Sequence, residues 1–123
     1  MPPPPAPSIV QVFGRLDDRG TRAALRFFKE RRIVPQVVDL ARKPIAAGEL
    51  RRFVERLGAS ALADTDGRAW RESGLGYLRM TNEDLAERLL TDQRLLRLPL
   101  VRVESGFAAG RDEAAWRRLL TGG

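Results

Sequence analysis

The hydrophobic pattern of this chain changes period in a set order, and that order narrows the folds open to it more than any single residue does. Ile9-Val10-Gln11-Val12-Phe13 is a short, β-branched apolar run ended by Gly14, which suits a buried strand. Asp17 or Asp18 can then cap a helix from about Gly20 to Arg32, with Ala24, Leu25, Phe27 and Phe28 on its apolar side and Arg22, Arg26, Lys29 and Glu30 on its polar side. A second strand is expected between Val34 and Leu40, and Pro35 confines it to an edge or to a strand's first residues. Leu50, Phe53, Val54 and Leu57 recur at helical spacing before Gly58 supplies a stop.

Between residues 59 and 80 the pattern weakens into a long connection, with a turn at Asp64-Thr65-Asp66-Gly67. Its Trp70, Leu75, Tyr77 and Leu78 are large enough that the segment is expected to pack. Thr81 with Asp84 marks the start of a helix carrying Leu85, Leu89 and Leu90. Leu98 to Val103 reads as a third strand, Glu104-Ser105-Gly106 as a turn, and Phe107 to Gly110 as a short fourth strand completing a hairpin. Asp112 can cap a last helix with Ala115, Trp116, Leu119 and Leu120 on one face. A βαβ unit followed by a hairpin and a closing helix is the layout of an α/β, thioredoxin-like fold. It has a four-stranded mixed sheet flanked by helices, here with a helical insertion in the middle of the chain. With 123 residues, one domain is expected at 8–121, after a proline-rich disordered arm at 1–7.

Composition then removes whole classes of chemistry. Without Cys there is no thiolate nucleophile, redox dithiol or cysteine-ligated zinc, and without His the commonest general base and the imidazole metal sites are gone. The formal net charge is +6, from 22 basic and 16 acidic residues. Lys29 and Lys43 are the only lysines, so twenty of the 22 are arginine, a bias of the kind genome base composition produces. Those arginines are scattered, and their only doublets, Arg31/Arg32, Arg51/Arg52 and Arg117/Arg118, lie in expected helices beside Glu or Asp, which reads as solvated helix faces, so nucleic acid is not the expected partner. No stretch reaches the roughly 18 apolar residues of a membrane span, and the start lacks the charged and apolar regions of a secretory signal. The expected location is cytoplasmic, with no membrane association.

The segments also resemble the arsenate reductase-like family, which holds glutaredoxin-dependent arsenate reductases and the transcription regulator Spx. The resemblance runs from Ile9 to Leu120. It rests on Val12-Phe13-Gly14 leading to Thr21-Arg22-Ala23-Ala24, on Lys43-Pro44-Ile45 leading into Glu49-Leu50, and on Gly67-Arg68-Ala69-Trp70-Arg71. Leu95 to Val101 and Gly110-Arg111-Asp112-Glu113 complete it. The family's chemistry implies a thiolate at the N-terminus of the first helix, where the helix dipole lowers its pKa and receives an oxyanion. That position falls on Asp18, and the second cysteine of redox-sensing members falls on Thr21. An arginine that holds oxyanions before the strand-opening proline falls on Leu98, and another, upstream of the aromatic residue in the middle segment, on Asp66. Pro99 is then the expected cis proline of the thioredoxin fold, or more plainly a strand-opening proline at an edge. Arsenate reduction needs an oxidisable sulfur, so no catalytic residue is expected and Asp18, Thr21, Asp66 and Leu98 are vestigial positions. Two carboxylates in place of thiol and arginine also leave the pocket repelling a dianion.

Each of these residues has a plainer reading. Asp18 reads first as a helix N-cap, worth about 1 kcal/mol. Asp17, Asp18, Asp64 and Asp66 lack the spacing of a calcium loop, so no metal site is expected, and no cofactor. Trp70 and Trp116 are core residues by default. The function expected from the sequence is a non-catalytic protein-binding or regulatory module, a cysteine-less pseudoenzyme acting through Asp17, Asp18, Arg19, Trp70, Leu98 and Pro99. The resemblance to Spx implies RNA polymerase as one partner to consider. The alternatives are a cysteine-independent enzyme, with Asp18 as base assisted by Thr21 or Tyr77 or with bound glutathione, and a nucleic-acid-associated protein.

Overall fold

The computed structural model describes residues 9–122; the arm expected at 1–7 lies outside the described residues. The chain runs β1 (Val10–Gly14), α1 (Arg19–Glu30), β2 (Gln36–Asp39), α2 (Ala47–Leu57), α3 (Ala59–Leu62), α4 (Arg68–Ser73), α5 (Asn82–Thr91), β3 (Leu100–Val103), β4 (Gly106–Ala109) and α6 (Glu113–Thr121). Short 3-10 turns occupy Leu75–Tyr77 and Gln93–Leu95. The strands form one mixed sheet in the order β2-β1-β3-β4, with β1 parallel to β2 and antiparallel to β3, and β3 antiparallel to β4.

Strand alternation divides the core into two layers. Val10 and Val12 of β1 and Val101 and Val103 of β3 point to one face, where Phe27, Phe28 and Trp116 of α1 and α6 cover them. Phe13 and Leu100 point to the other face and pack with Leu50, Phe53, Leu62 and Leu89 from the helices between β2 and β3. Phe53 is fully buried between Phe13 and Phe107, its ring edge-on to both, with centroids 5.8 and 4.9 Å away. Leu57, expected on the same buried face, is only half-buried because it lies at the helix end.

Three expectations are corrected in detail. The second strand starts after Pro35 rather than at Val34, because proline has no N–H to give the ladder; Val34 is 93% exposed. The third strand likewise begins at Leu100, after the cis Leu98–Pro99 peptide, and the fourth occupies Gly106–Ala109. Residues 59–80 hold α3, α4 and a 3-10 turn rather than a plain connection, and their large residues divide. Leu75 is buried and Trp70 packs half-buried on the core, but Tyr77 is 95% exposed and Leu78 is exposed as well. Backbone bonds from Asp64 N to Leu95 O (2.8 Å) and from Arg97 N to Leu62 O (2.7 Å) tie this insertion to the approach to β3.

Candidate functional site: the start of the first helix

β1 ends at Gly14, and the chain turns through a bond from Asp18 N to Arg15 O of 2.9 Å before α1 begins. Asp18 has the extended backbone of an N-cap (φ −85°, ψ 131°). Its Oδ2 accepts from Thr21 N at 2.8 Å and from Thr21 Oγ1 at 2.9 Å. Thr21 is fully buried, so that carboxylate oxygen is the partner of both its backbone and its side-chain donor. An acidic group also suits the positive end of the helix dipole.

Gly20 determines what else reaches this point. A Cβ there would lie 2.6 Å from the carbonyl oxygen of Leu98, 3.2 Å from Pro99 Cδ and 3.3 Å from Asp18 Oδ2. Only glycine lets the first turn of α1 approach the Leu98–Pro99 backbone so closely. The fold therefore gathers Asp18, Thr21, Leu98 and Pro99 at one end of the sheet. Leu98 is 9% exposed within the core layer, Pro99 is fully buried, and Pro99 O accepts from Gly110 N at 2.8 Å. Asp17 and Arg19 are exposed beside them.

Asp66 and Trp70 stand apart from this cluster in their bonding. Asp66 is exposed on the turn whose Gly67 N donates to Asp64 O at 3.0 Å, and its own backbone carbonyl accepts from Arg71 Nη1 at 3.1 Å. Among the described residues no hydrogen bond or ion pair joins it to Asp18, and no group of three or more acidic side chains is placed to hold a metal ion. Trp70, on α4, serves as half-buried packing.

Chemically, the arrangement is a helix start whose Thr21 amide is capped by the chain's own carboxylate. Leu98 presents its backbone carbonyl to the first turn while its side chain is buried in the core, so this position offers no cation there. Gly20 was not singled out by sequence reasoning, because its role is a contact between residues far apart in the chain. A gathering of Arg19, Arg22, Arg26 and Arg111 on the flank of α1 was missed for the same reason. The i, i+3, i+7 spacing of the first three was the available signal.

The mixed four-stranded sheet, helices on both faces and cis proline opposite the first helix define a thioredoxin-like protein. Residues 19–119 match the ArsC family, and the chain belongs to that family. Three solved structures share the fold. A YffB protein matches with a TM-score of 0.81 at 15% identity, over 90% of this chain and 98% of its own. An ArsC family related protein from Bacteroides fragilis matches with a TM-score of 0.81 at 19% identity, over 93% and 99%. An arsenate reductase from Vibrio cholerae matches with a TM-score of 0.79 at 18% identity, over 93% and 99%. No curated protein matches in sequence. Among the described residues, no helix is long and apolar enough to cross a membrane.

Proposed function

We propose that this ArsC-family protein is a non-catalytic module that works by binding a protein partner in the cytoplasm. The reading rests chiefly on one observation: the place where the resemblance puts the reactive thiol is held by Asp18, whose carboxylate is the bonded cap of α1. No thiol is available elsewhere, since the chain contains no Cys. A general-base role for Asp18 is disfavoured because Oδ2 already accepts two hydrogen bonds. The proposed contact surface comprises Asp17 and Arg19, exposed at the helix start, and the insertion bearing half-buried Trp70 and exposed Tyr77 and Leu78.

Two measurements test this. Purified protein supplied with arsenate, glutathione and glutaredoxin is expected to give no turnover above a heat-inactivated control, and Asp18→Cys alone is expected not to restore it, because Leu98 still offers no cation. Affinity capture from a native extract is expected to retain a specific protein at moderate salt, and Tyr77→Ala with Leu78→Ser is expected to release it. Measurable arsenate turnover by the unaltered chain, or capture indifferent to the surface substitutions, refutes the proposal.

A further inference from the structure

Arg19, Arg22 and Arg26 fall at i, i+3 and i+7 on α1 and share one stripe of that helix. The tertiary fold adds Arg111, from the loop before α6, and with Ala23 the four arginines line a depression of about 140 Å³. Arg111 is positioned by its neighbour Gly110, whose φ of +82° and bond to Pro99 O set the course of the loop. Among the described residues none of the four forms an ion pair, whereas Arg51, Arg52, Arg68, Arg94, Arg102 and Arg117 each do.

Of the acidic side chains near in sequence, Asp17 is exposed on the loop before α1 and is not among the residues lining the depression, and three others are engaged elsewhere. Asp18 is held by Thr21, Asp112 caps α6 through Ala115 N at 3.0 Å, and Glu113 binds Arg117 at 2.6 Å. Glu30 and Glu113 line an adjoining depression together with Arg26 and Arg111, so negative charge lies to one side of the arginine site and not in it. Like charges on one helix stripe repel, and a bound polyanion is what relieves them. Guanidinium groups present planar forks that match phosphate oxygens two at a time. The space is that of about five water molecules, which suits one or two tetrahedral oxyanions. No aromatic side chain lines it, so it offers no platform for a base.

We propose that Arg19, Arg22, Arg26 and Arg111 form a binding site for a compact polyphosphate group, read by side chains on the flank of α1 and separate from the helix N-terminus that Asp18 fills. Isothermal titration of the full-length protein with pyrophosphate and tripolyphosphate at low salt is expected to show one site per chain. Arg22→Gln with Arg111→Gln is expected to weaken it at least tenfold. Arg79→Gln with Arg88→Gln, exposed arginines outside the depression, lowers the net charge equally and is expected to change it less than twofold. ATP binding equal to tripolyphosphate supports a site that reads phosphate alone. Loss that follows net charge in both double variants, a requirement for the nucleotide with tripolyphosphate silent, or binding to single-stranded or duplex DNA without binding to pyrophosphate each overturns it.

Discussion

Removing the carboxylate of Asp18 separates a structural cap from a vestigial acid, because the two predict different costs. In Asp18→Ala the Thr21 amide loses its capping acceptor, a change that costs about 0.5–2 kcal/mol. The Thr21 hydroxyl, fully buried with Oδ2 of Asp18 as its acceptor, is left without one, at about 1–3 kcal/mol. Both bonds end on one oxygen, so the losses overlap, and we expect about 3 kcal/mol, or roughly a 10 °C fall in melting temperature for a domain of this size. Asp18→Asn keeps an acceptor and gives up mainly the charge at the helix start, so it should cost less than about 1 kcal/mol. Thr21→Val removes the orphaned hydroxyl. The double variant Asp18→Ala with Thr21→Val should therefore be less destabilised than the sum of the singles by about 1 kcal/mol or more. Urea denaturation followed by circular dichroism measures all four. A cost below about 0.5 kcal/mol for Asp18→Ala, or strict additivity in the double variant, refutes the account of this helix start.

Phe53→Ala opens a cavity between Phe13 and Phe107 and should cost about 3–5 kcal/mol in the same assay; a value below about 1 kcal/mol would mean the face is not packed. Gly20→Ala drives a methyl group against the Leu98 carbonyl oxygen and should cost about 1–3 kcal/mol, whereas Gly48→Ala, with open space around it, should be neutral or stabilising by thermal melting. The bond from Arg94 holds the Asp92 carboxyl below its ordinary value of 3.8, which places its stabilising contribution above the unfolded carboxylate's pKa and removes it as pH falls through the lower folded value. Asp92→Asn should accordingly be slightly destabilising at neutral pH and indistinguishable from the parent well below pH 3.8, as read from denaturation midpoints across an acid series.

The elements that could be read from the sequence are those whose signals are local. Asp18, Thr81 with Asp84, and Asp112 all cap the helices expected of them, because a cap and its amide lie within one turn. Val10, Val12 and Phe13 divide between the two core layers as their alternation demands. The stretch 59–80 was opaque for the opposite reason: α3 has four residues and α4 six, too few to display a helical period. Large apolar residues there suggested packing throughout, but the 3-10 turn at Leu75–Tyr77 buries Leu75 and leaves Tyr77 exposed. At the site, the pairing of Asp18 with Thr21 is local and legible. The closeness of Gly20 to Leu98 and the addition of Arg111 to an α1 stripe exist only once the chain has folded.

The same physics connects the occupied helix start with the arginines beside it. A helix packed against the Leu98–Pro99 backbone at the distance Gly20 allows has its first buried donors screened from water, and these must find an acceptor within the protein or on a ligand. Asp18 supplies that acceptor to Thr21 from within the chain, and its carboxylate adds a repulsive charge to any dianion that would approach the helix start. Anion recognition, if it is to survive at this end of the molecule, has to move from backbone amides to side chains that stand clear of that carboxylate. The stripe of Arg19, Arg22 and Arg26 begins one residue past the cap and extends along the helix away from it for about 10 Å, at 1.5 Å per residue. Arg111 meets it from across the fold. The shift from amides to guanidinium groups changes what can be bound: a single tetrahedral oxyanion fits a helix start, whereas several charged forks favour a ligand carrying more than one.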